Sequence, residues 1–158
     1  MMSAMLPPQE ELRELYRELI LDHARNPRHF GKLESPSHEA EGINPLCGDK
    51  LKLYLDIGDD GEIDAAAFEG SGCAISVASA SLLTDTVIGM PIAEALRIFD
   101  TIVKALSGTG EPQSDADLGK LAALQGVREF PSRVKCATLA WHALNSAVNH
   151  DKQPATTE

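Results

Sequence analysis

Residues 50–68 read KLKLYLDIGDDGEIDAAAF, and this stretch decides the fold. In its first half, leucine alternates with lysine, tyrosine and aspartate, which is the period of a β-strand with one buried face. The residues Gly58-Asp59-Asp60-Gly61 then supply a turn, and residues 62–68 return as a second strand. The stretch therefore predicts an antiparallel β-hairpin.

Helical patterns flank this hairpin on both sides. Before it, apolar residues at helical spacing predict an amphipathic helix over residues 8–25, and one short strand is expected before Asn44-Pro45. After it, helical segments are predicted from Cys73 to near Gly89, from Pro91 to Ser107, around Leu118 to Leu124, and from Pro131 to Val148. These elements predict an α+β fold in which a small antiparallel three-stranded sheet packs against helices.

The composition suits one domain. Of the 158 residues, 43% are hydrophobic, so we expect a single domain over residues 1–150, with Trp141 and Phe130 in its core and a polar, frayed tail over 151–158. No apolar stretch approaches the about 20 residues of a membrane span, and the N-terminal residues lack the features of an export signal, so a cytoplasmic location is expected. The net charge of -10, with scattered lysines and arginines, argues against nucleic acid; it would suit a basic partner protein, but ordinary solubility is the preferred explanation and charge alone names no partner.

The chain carries three cysteines, Cys47, Cys73 and Cys136. An odd number argues against a disulfide framework and favours metal or thiol chemistry. Cys47 precedes the main strand, Cys73 begins a helix, and Cys136 is expected near the first turn of the last helix. A helix N-terminus favours the thiolate, the form that binds metals and attacks sulfur. Free cysteines are also common in cores, but the glycines beside Cys47 and Cys73 do not suit core packing.

Four blocks cover nearly the whole chain in order, and they read LYRELILDHARNPRHFGKL, NPLCGDKLKLYLDI, FEGSGCAISVASASLLTD and LQGVREFPSRVKCATLAW. Together they resemble the IscU/NifU/SufU family of iron-sulfur cluster assembly. Two details resemble its SufU branch more than its scaffold branch. Lys135 stands where the scaffold branch carries a histidine before the last cysteine, and the segment around residues 108–124 is longer than in the scaffold type.

The resemblance implies a SufE/NifU-like fold with a Zn2+ site formed by Cys47, Asp49, Cys73 and Cys136. Three thiolates and one carboxylate supply the tetrahedral shell that zinc prefers, and the harder carboxylate makes such a site more exchangeable than four thiolates. The resemblance further implies that Cys47 accepts persulfide sulfur from a SufS-type cysteine desulfurase, with downstream cluster assembly proteins as further partners. Arg133 is expected either to orient the carboxylate or contact the partner, or to be an ordinary exposed residue.

Two other functions stay open at this point. The same four residues could hold a 2Fe-2S cluster, which would make the protein a scaffold that assembles and transfers it. A purely structural zinc domain or a regulatory binding module is the third reading. We assign no metal role to the histidines, because none is spaced to pair with a cysteine; they are His23, His29, His38, His142 and His150.

Overall fold

The computed structural model describes residues 9–45, 48–107, 118–150 and 153–156. Along the chain its elements are α1 (Gln9–Arg25), β1 (His38–Asn44), β2 (Asp49–Ile57), β3 (Ile63–Ser71), α2 (Ala74–Val87), α3 (Ile92–Ser107), a 3-10 helix (Gly119–Glu129), α4 (Pro131–Val148) and β4 (Ala155–Thr156). The predicted α+β class, the hairpin and the helices are confirmed. Residues 108–117, part of the segment that is longer than in the scaffold type, lie outside the described residues.

The β2–β3 hairpin forms one side of the sheet, with β3 at the edge. The two strands pair antiparallel, with Leu53 opposite Phe68, and β1 pairs antiparallel with the other side of β2. Leu53 and Leu55 have no exposed surface, whereas Asp56, on the opposite face near the end of the same strand, is exposed. The alternation in the sequence therefore does mark one buried face of the sheet, as predicted.

The sheet has four strands and is mixed, so the predicted three-stranded antiparallel sheet was wrong in its strand count and direction. The strand order is β3-β2-β1-β4, and the short β4 runs parallel to β1, with Gly42 opposite Ala155 and Ile43 opposite Thr156. This strand comes from the segment expected to be a frayed tail. Pairing with β4 satisfies backbone groups that β1 would otherwise present at an open edge. This explains why two residues without any strand pattern form a strand.

Helix α4 covers the inner face of the sheet. It packs so closely on β1 that a Cβ added at Gly42 would lie 3.1 Å from Leu139 Cδ1. Trp141, on the same helix, is fully buried as predicted, and its indole N–H donates to Ser79 Oγ of α2 at 3.2 Å. Phe130, also predicted in the core, is 56% exposed, because it lies at the junction of the 3-10 helix and α4 rather than on either helix's packed face.

Helix α2 lies between α1 and α4 and is buried around most of its circumference. Its sequence is made largely of alanine and serine, because close neighbours on two sides leave little room for larger side chains. The buried hydroxyls are hydrogen-bonded: Ser79 donates to Ala137 O at 2.5 Å, and Ser81 Oγ accepts from Arg28 N at 2.8 Å. This packing fixes the start of α2, where Cys73 lies. Among the described residues, no helix is long and apolar enough to cross a membrane.

Candidate metal centre

Three ligand-type side chains meet at one end of the sheet. Asp49 begins β2, Cys73 immediately precedes α2, and Cys136 lies on α4. One carboxylate oxygen and the two sulfur atoms all lie within 4.8 Å of one another. Ligands about 2.0–2.3 Å from a tetrahedral zinc ion are separated from each other by about 3.3–3.8 Å. Small movements would therefore bring these atoms around a metal ion, and two sulfurs with one oxygen are a donor set that fits zinc.

The Asp49 carboxylate is buried, with 1% of the residue exposed, and both of its oxygens have neighbours. Oδ1 accepts the backbone N–H of Cys73 at 2.8 Å, while Oδ2 faces the thiols, 3.9 Å from Cys73 Sγ. Oδ2 also accepts a hydrogen bond from the Asn44 side-chain amide at 3.4 Å. Burying a carboxylate is costly unless it is hydrogen-bonded or paired with a cation. These contacts hold it at the site.

Two glycines allow the backbone to approach this carboxylate. A Cβ added at Gly72 would lie 2.5 Å from Asp49 Oδ1, so any side chain there would displace the carboxylate. Gly70 has φ +147°, and a Cβ at this position would lie 2.2 Å from the carbonyl oxygen of Lys50. The glycines of EGSGC therefore have a steric explanation: they let β3 deliver Cys73 beside the start of β2.

Cys73 is the N-cap residue of α2. Its backbone is extended (φ -72°, ψ 166°), and its carbonyl oxygen accepts the N–H of Val77 at 3.1 Å. The thiol makes no capping hydrogen bond to the helix, which leaves it directed toward other partners. It is half-buried and lies at the positive end of the helix dipole.

Cys136 has a different environment. It is the sixth residue of α4, one turn further from the helix start than predicted, and it is fully buried. Its Sγ lies 3.6 Å from Ser132 O and 3.5 Å from the side-chain nitrogen of Asn44. Packing on every side fixes this sulfur more firmly than the half-buried one of Cys73.

Arg133 lies next to both thiols although its own side chain is exposed. A hydrogen bond to Cys136 and the charges of Cys73 and Cys136 raise the pKa of its guanidinium. The guanidinium is therefore in a position to compensate negative charge at the site while remaining accessible to a partner. Lys135, two residues on, is half-buried.

Not every expected site residue can be placed. Cys47 lies outside the described residues, and its neighbour Gly48 has φ +72°. Asn44 was missed by the sequence reasoning, which used Asn44-Pro45 only to mark the end of a short strand. Its side chain approaches the site because it lies opposite Asp49 in the β1–β2 register.

The histidines lie elsewhere. His23 is buried and its Nδ1 lies 2.7 Å from Ser81 Oγ, His38 stacks on His150, and His142 packs edge-on against Phe99. Within the described ranges, the only group of ligand-type residues close enough to share a metal ion is the one formed by Asp49, Cys73 and Cys136.

Residues 15–137 match the protein family described as the NifU-like N terminal domain. The chain belongs to this family. A NifU-like fold therefore accounts for the sheet, the helices and the convergence of the blocks that carry Asp49, Cys73 and Cys136. The family is one of iron-sulfur cluster assembly, as the names of its relatives state.

Relatives of this NifU-like chain carry two kinds of name. This chain is 44% identical over 135 residues to the zinc-dependent sulfurtransferase SufU of Bacillus subtilis. The alignment covers 85% of this chain and 89% of that protein. The chain is 41% identical over 139 residues to the iron-sulfur cluster assembly scaffold protein IscU of Streptococcus pyogenes, covering 87% and 85%. A crystal structure of a putative cluster assembly scaffold protein for the SUF system, from Fervidobacterium islandicum, superposes with a TM-score of 0.78 at 33% identity, covering 86% of this chain and 98% of that one.

Proposed function

We propose that this protein is a zinc-dependent sulfurtransferase of iron-sulfur cluster assembly, which takes persulfide sulfur from a cysteine desulfurase onto Cys47. The observation that carries the proposal is the convergence of Asp49, Cys73 and Cys136 within 4.8 Å, with one carboxylate among the thiols. Cys47 stands two residues before Asp49 in the sequence and would be the fourth ligand. The similarity to a zinc-dependent sulfurtransferase supports zinc as the metal.

The four ligands divide into anchors and exchangeable positions. Cys136 is fully buried and Cys73 caps a helix, so both sulfurs are fixed by the fold. Asp49 offers a carboxylate, a harder ligand that zinc gives up more readily than thiolate. Bound zinc would keep the thiols deprotonated at neutral pH. The residues of this chain then supply two fixed sulfurs, one exchangeable oxygen and one sulfur free to react.

Cys47 performs the transfer step. When the desulfurase docks with its own cysteine carrying a persulfide, the Cys47 thiolate attacks the outer sulfur atom. A new S–S bond forms on Cys47, the S–S bond of the desulfurase persulfide breaks, and the desulfurase cysteine leaves as a thiolate. The exchange is balanced without any external oxidant or reductant.

Arg133 serves this reaction through charge. Four anionic ligands around a dication leave the site with a negative charge, and the Arg133 guanidinium lies beside two of the sulfurs. It is exposed, so it can also meet an anionic group of the docking partner. We expect Arg133→Ala to weaken stimulation of the desulfurase more than Arg97→Ala, which removes an exposed arginine that pairs with Glu94 on α3.

The test mixes the zinc-loaded protein with a SufS-type desulfurase and cysteine, and follows alanine production together with the mass of the protein. We expect faster turnover and one added sulfur atom on the peptide that contains Cys47, both lost in Cys47→Ala. Absence of stimulation, with a stable 2Fe-2S spectrum once iron is supplied, would refute sulfur transfer.

The same experiment addresses the scaffold function, the second candidate. It is favoured by the similarity to IscU scaffold proteins and by a donor set that suits iron as well as zinc. Lys135 in place of the histidine of the scaffold branch is the reason we rank it second.

The melting temperatures of two variants distinguish a purely structural role for zinc from a role in sulfur transfer. If zinc only holds the fold, Cys47→Ala should lower the melting temperature as much as Cys136→Ala. A sulfur carrier at Cys47 should lose activity with the smaller loss of stability, because Cys136 is part of the buried core.

The remaining proposals concern the domain, the partners and the cellular location of the protein. We propose that residues 1–150 form one domain, that the partner is a SufS-type desulfurase followed by downstream cluster assembly proteins, and that the protein acts in the cytoplasm, where thiols stay reduced. The net charge of -10 suits a docking partner with a basic surface.

A further inference from the structure

Asn44, the last residue of β1, has its side chain fully buried beside the candidate metal centre. Its amide nitrogen donates to Asp49 Oδ2 at 3.4 Å and to Cys136 Sγ at 3.5 Å. One nitrogen thus connects two ligand-type atoms that come from different elements, β2 and α4. Both hydrogens of the amide are used, one for each atom.

The orientation of this amide follows from its surroundings. The carboxylate oxygen of Asp49 accepts hydrogen bonds and cannot donate, so the nitrogen rather than the oxygen of Asn44 must face it. The oxygen, Oδ1, is buried and has no hydrogen-bond partner in the part of the chain that the structure describes. Among the described residues, the amide therefore has partners for its donor nitrogen at two ligand-type atoms and none for its acceptor oxygen.

We propose that Asn44 is a positioning residue of the metal centre, an inference that rests on the proposed function. Its amide holds the Asp49 carboxylate against the Cys136 sulfur, so that the exchangeable ligand stays aligned with an anchor. The hydrogen bond would keep Oδ2 beside the site whether or not it binds a metal ion. The N–H donated to Cys136 also fixes the position of that sulfur relative to the carboxylate.

The test measures metal binding without any desulfurase. Zinc affinity is determined by competition with a chelator for the unsubstituted protein and for Asn44→Ala, and the Co2+-loaded proteins are compared by their thiolate charge-transfer and d–d absorption bands. We expect Asn44→Ala to weaken zinc binding about 10–100-fold and to shift the Co2+ bands. Ile43→Ala, a neighbouring position on β1, is the matched control and should stay within about twofold of the unsubstituted protein.

A second variant and a double-mutant cycle keep the test decisive if Asn44→Ala folds poorly. Asn44→Asp has nearly the same size but removes both donated hydrogens, so it should weaken zinc binding at least as much. If Asn44 acts through Asp49, the loss caused by Asn44→Ala should be smaller in an Asp49→Ala background. An equal loss in both backgrounds, or affinity and Co2+ bands unchanged in Asn44→Ala and Asn44→Asp, would overturn the inference.

These outcomes are separable from those of the sulfur-transfer assay. Weakened metal binding in the Asn44 variants, with no stimulation of a desulfurase by the unsubstituted protein, would retain the positioning role and refute the transferase. Stimulation of the desulfurase by the unsubstituted protein, with zinc binding unchanged in the Asn44 variants, would retain the transferase and refute the positioning role. An unsubstituted protein that binds no zinc would overturn both.

Discussion

Replacing Gly72 with alanine tests how closely the backbone before α2 approaches the metal centre. The added Cβ would lie 2.5 Å from Asp49 Oδ1, and real Cβ contacts are essentially never shorter than 3.0 Å, so the carboxylate must move by at least about 0.5 Å. Gly72 is not among the residues with positive φ, so the backbone itself accepts alanine and the effect comes from this contact alone.

The displaced oxygen is the one that accepts the Cys73 N–H at 2.8 Å. Losing a hydrogen bond to a charged group costs about 1.5–3 kcal/mol, and alanine returns about 0.4–1 kcal/mol by restricting the unfolded chain. We therefore expect the metal-free protein to lose about 1–2 kcal/mol of unfolding free energy. Zinc affinity should fall about 10–100-fold, because the carboxylate no longer faces the thiols.

Urea denaturation of the metal-free protein and chelator competition for zinc would measure these two effects. Gly126→Ala is the matched control, since nothing lies within 4 Å of a Cβ at that glycine. It should leave zinc affinity unchanged and be neutral or slightly stabilising. If Gly72→Ala binds zinc as tightly as Gly126→Ala, the close approach of Gly72 to Asp49 is not part of the working site.

Two further predictions concern titrating groups away from the thiols. Burial lowers the pKa of His23, so the folded protein binds a proton at this side chain less readily than the unfolded chain does. Stability should therefore fall as the pH drops below about 6.5, the ordinary value for histidine. Denaturation at about pH 7.5 and 5.5 should show a smaller drop in unfolding free energy for His23→Gln than for the unsubstituted protein. Burial and the hydrogen bond to Glu69 raise the pKa of Tyr54 to about 12, so the folded protein retains this proton and loses stability as the pH rises above about 10. Ultraviolet titration should show the late-ionising tyrosine disappear in Tyr54→Phe and persist in Tyr16→Phe, and equal titration curves for the two variants would contradict this assignment.

Much of the architecture was predictable because it depends on local patterns. The leucines of β2 repeat every second residue, and Pro131 marks the start of α4, so both elements follow from short-range rules. The strand Ala155–Thr156 was not predictable in this way, because two residues have no period and their ordering depends on the edge that β1 provides. Phe130 was assigned to the core on residue type alone, which ignores its place between two helices.

The site was predictable in part for a related reason. Cys73 could be placed at a helix start from glycines and helical spacing, and the family blocks pointed to Asp49 and Cys136. The role of Asn44 depends on the register of β1 against β2 and on the position of α4, both of which are set by the packed sheet. Similarly, the glycine at position 72 looks like ordinary loop composition until the carboxylate beside it is located.

The three clustered side chains come from separate elements: β2, the start of α2, and α4. This arrangement affects the lifetime of the protein. An ion held by all three binds only the folded chain, so at a free concentration a hundred times its dissociation constant it adds about 2.7 kcal/mol to folding. Chains without metal should therefore open more often and be cleaved first by proteases. We expect the surviving population in a metal-starved cell to shrink while remaining enriched in loaded molecules, so that protein abundance itself reports metal supply.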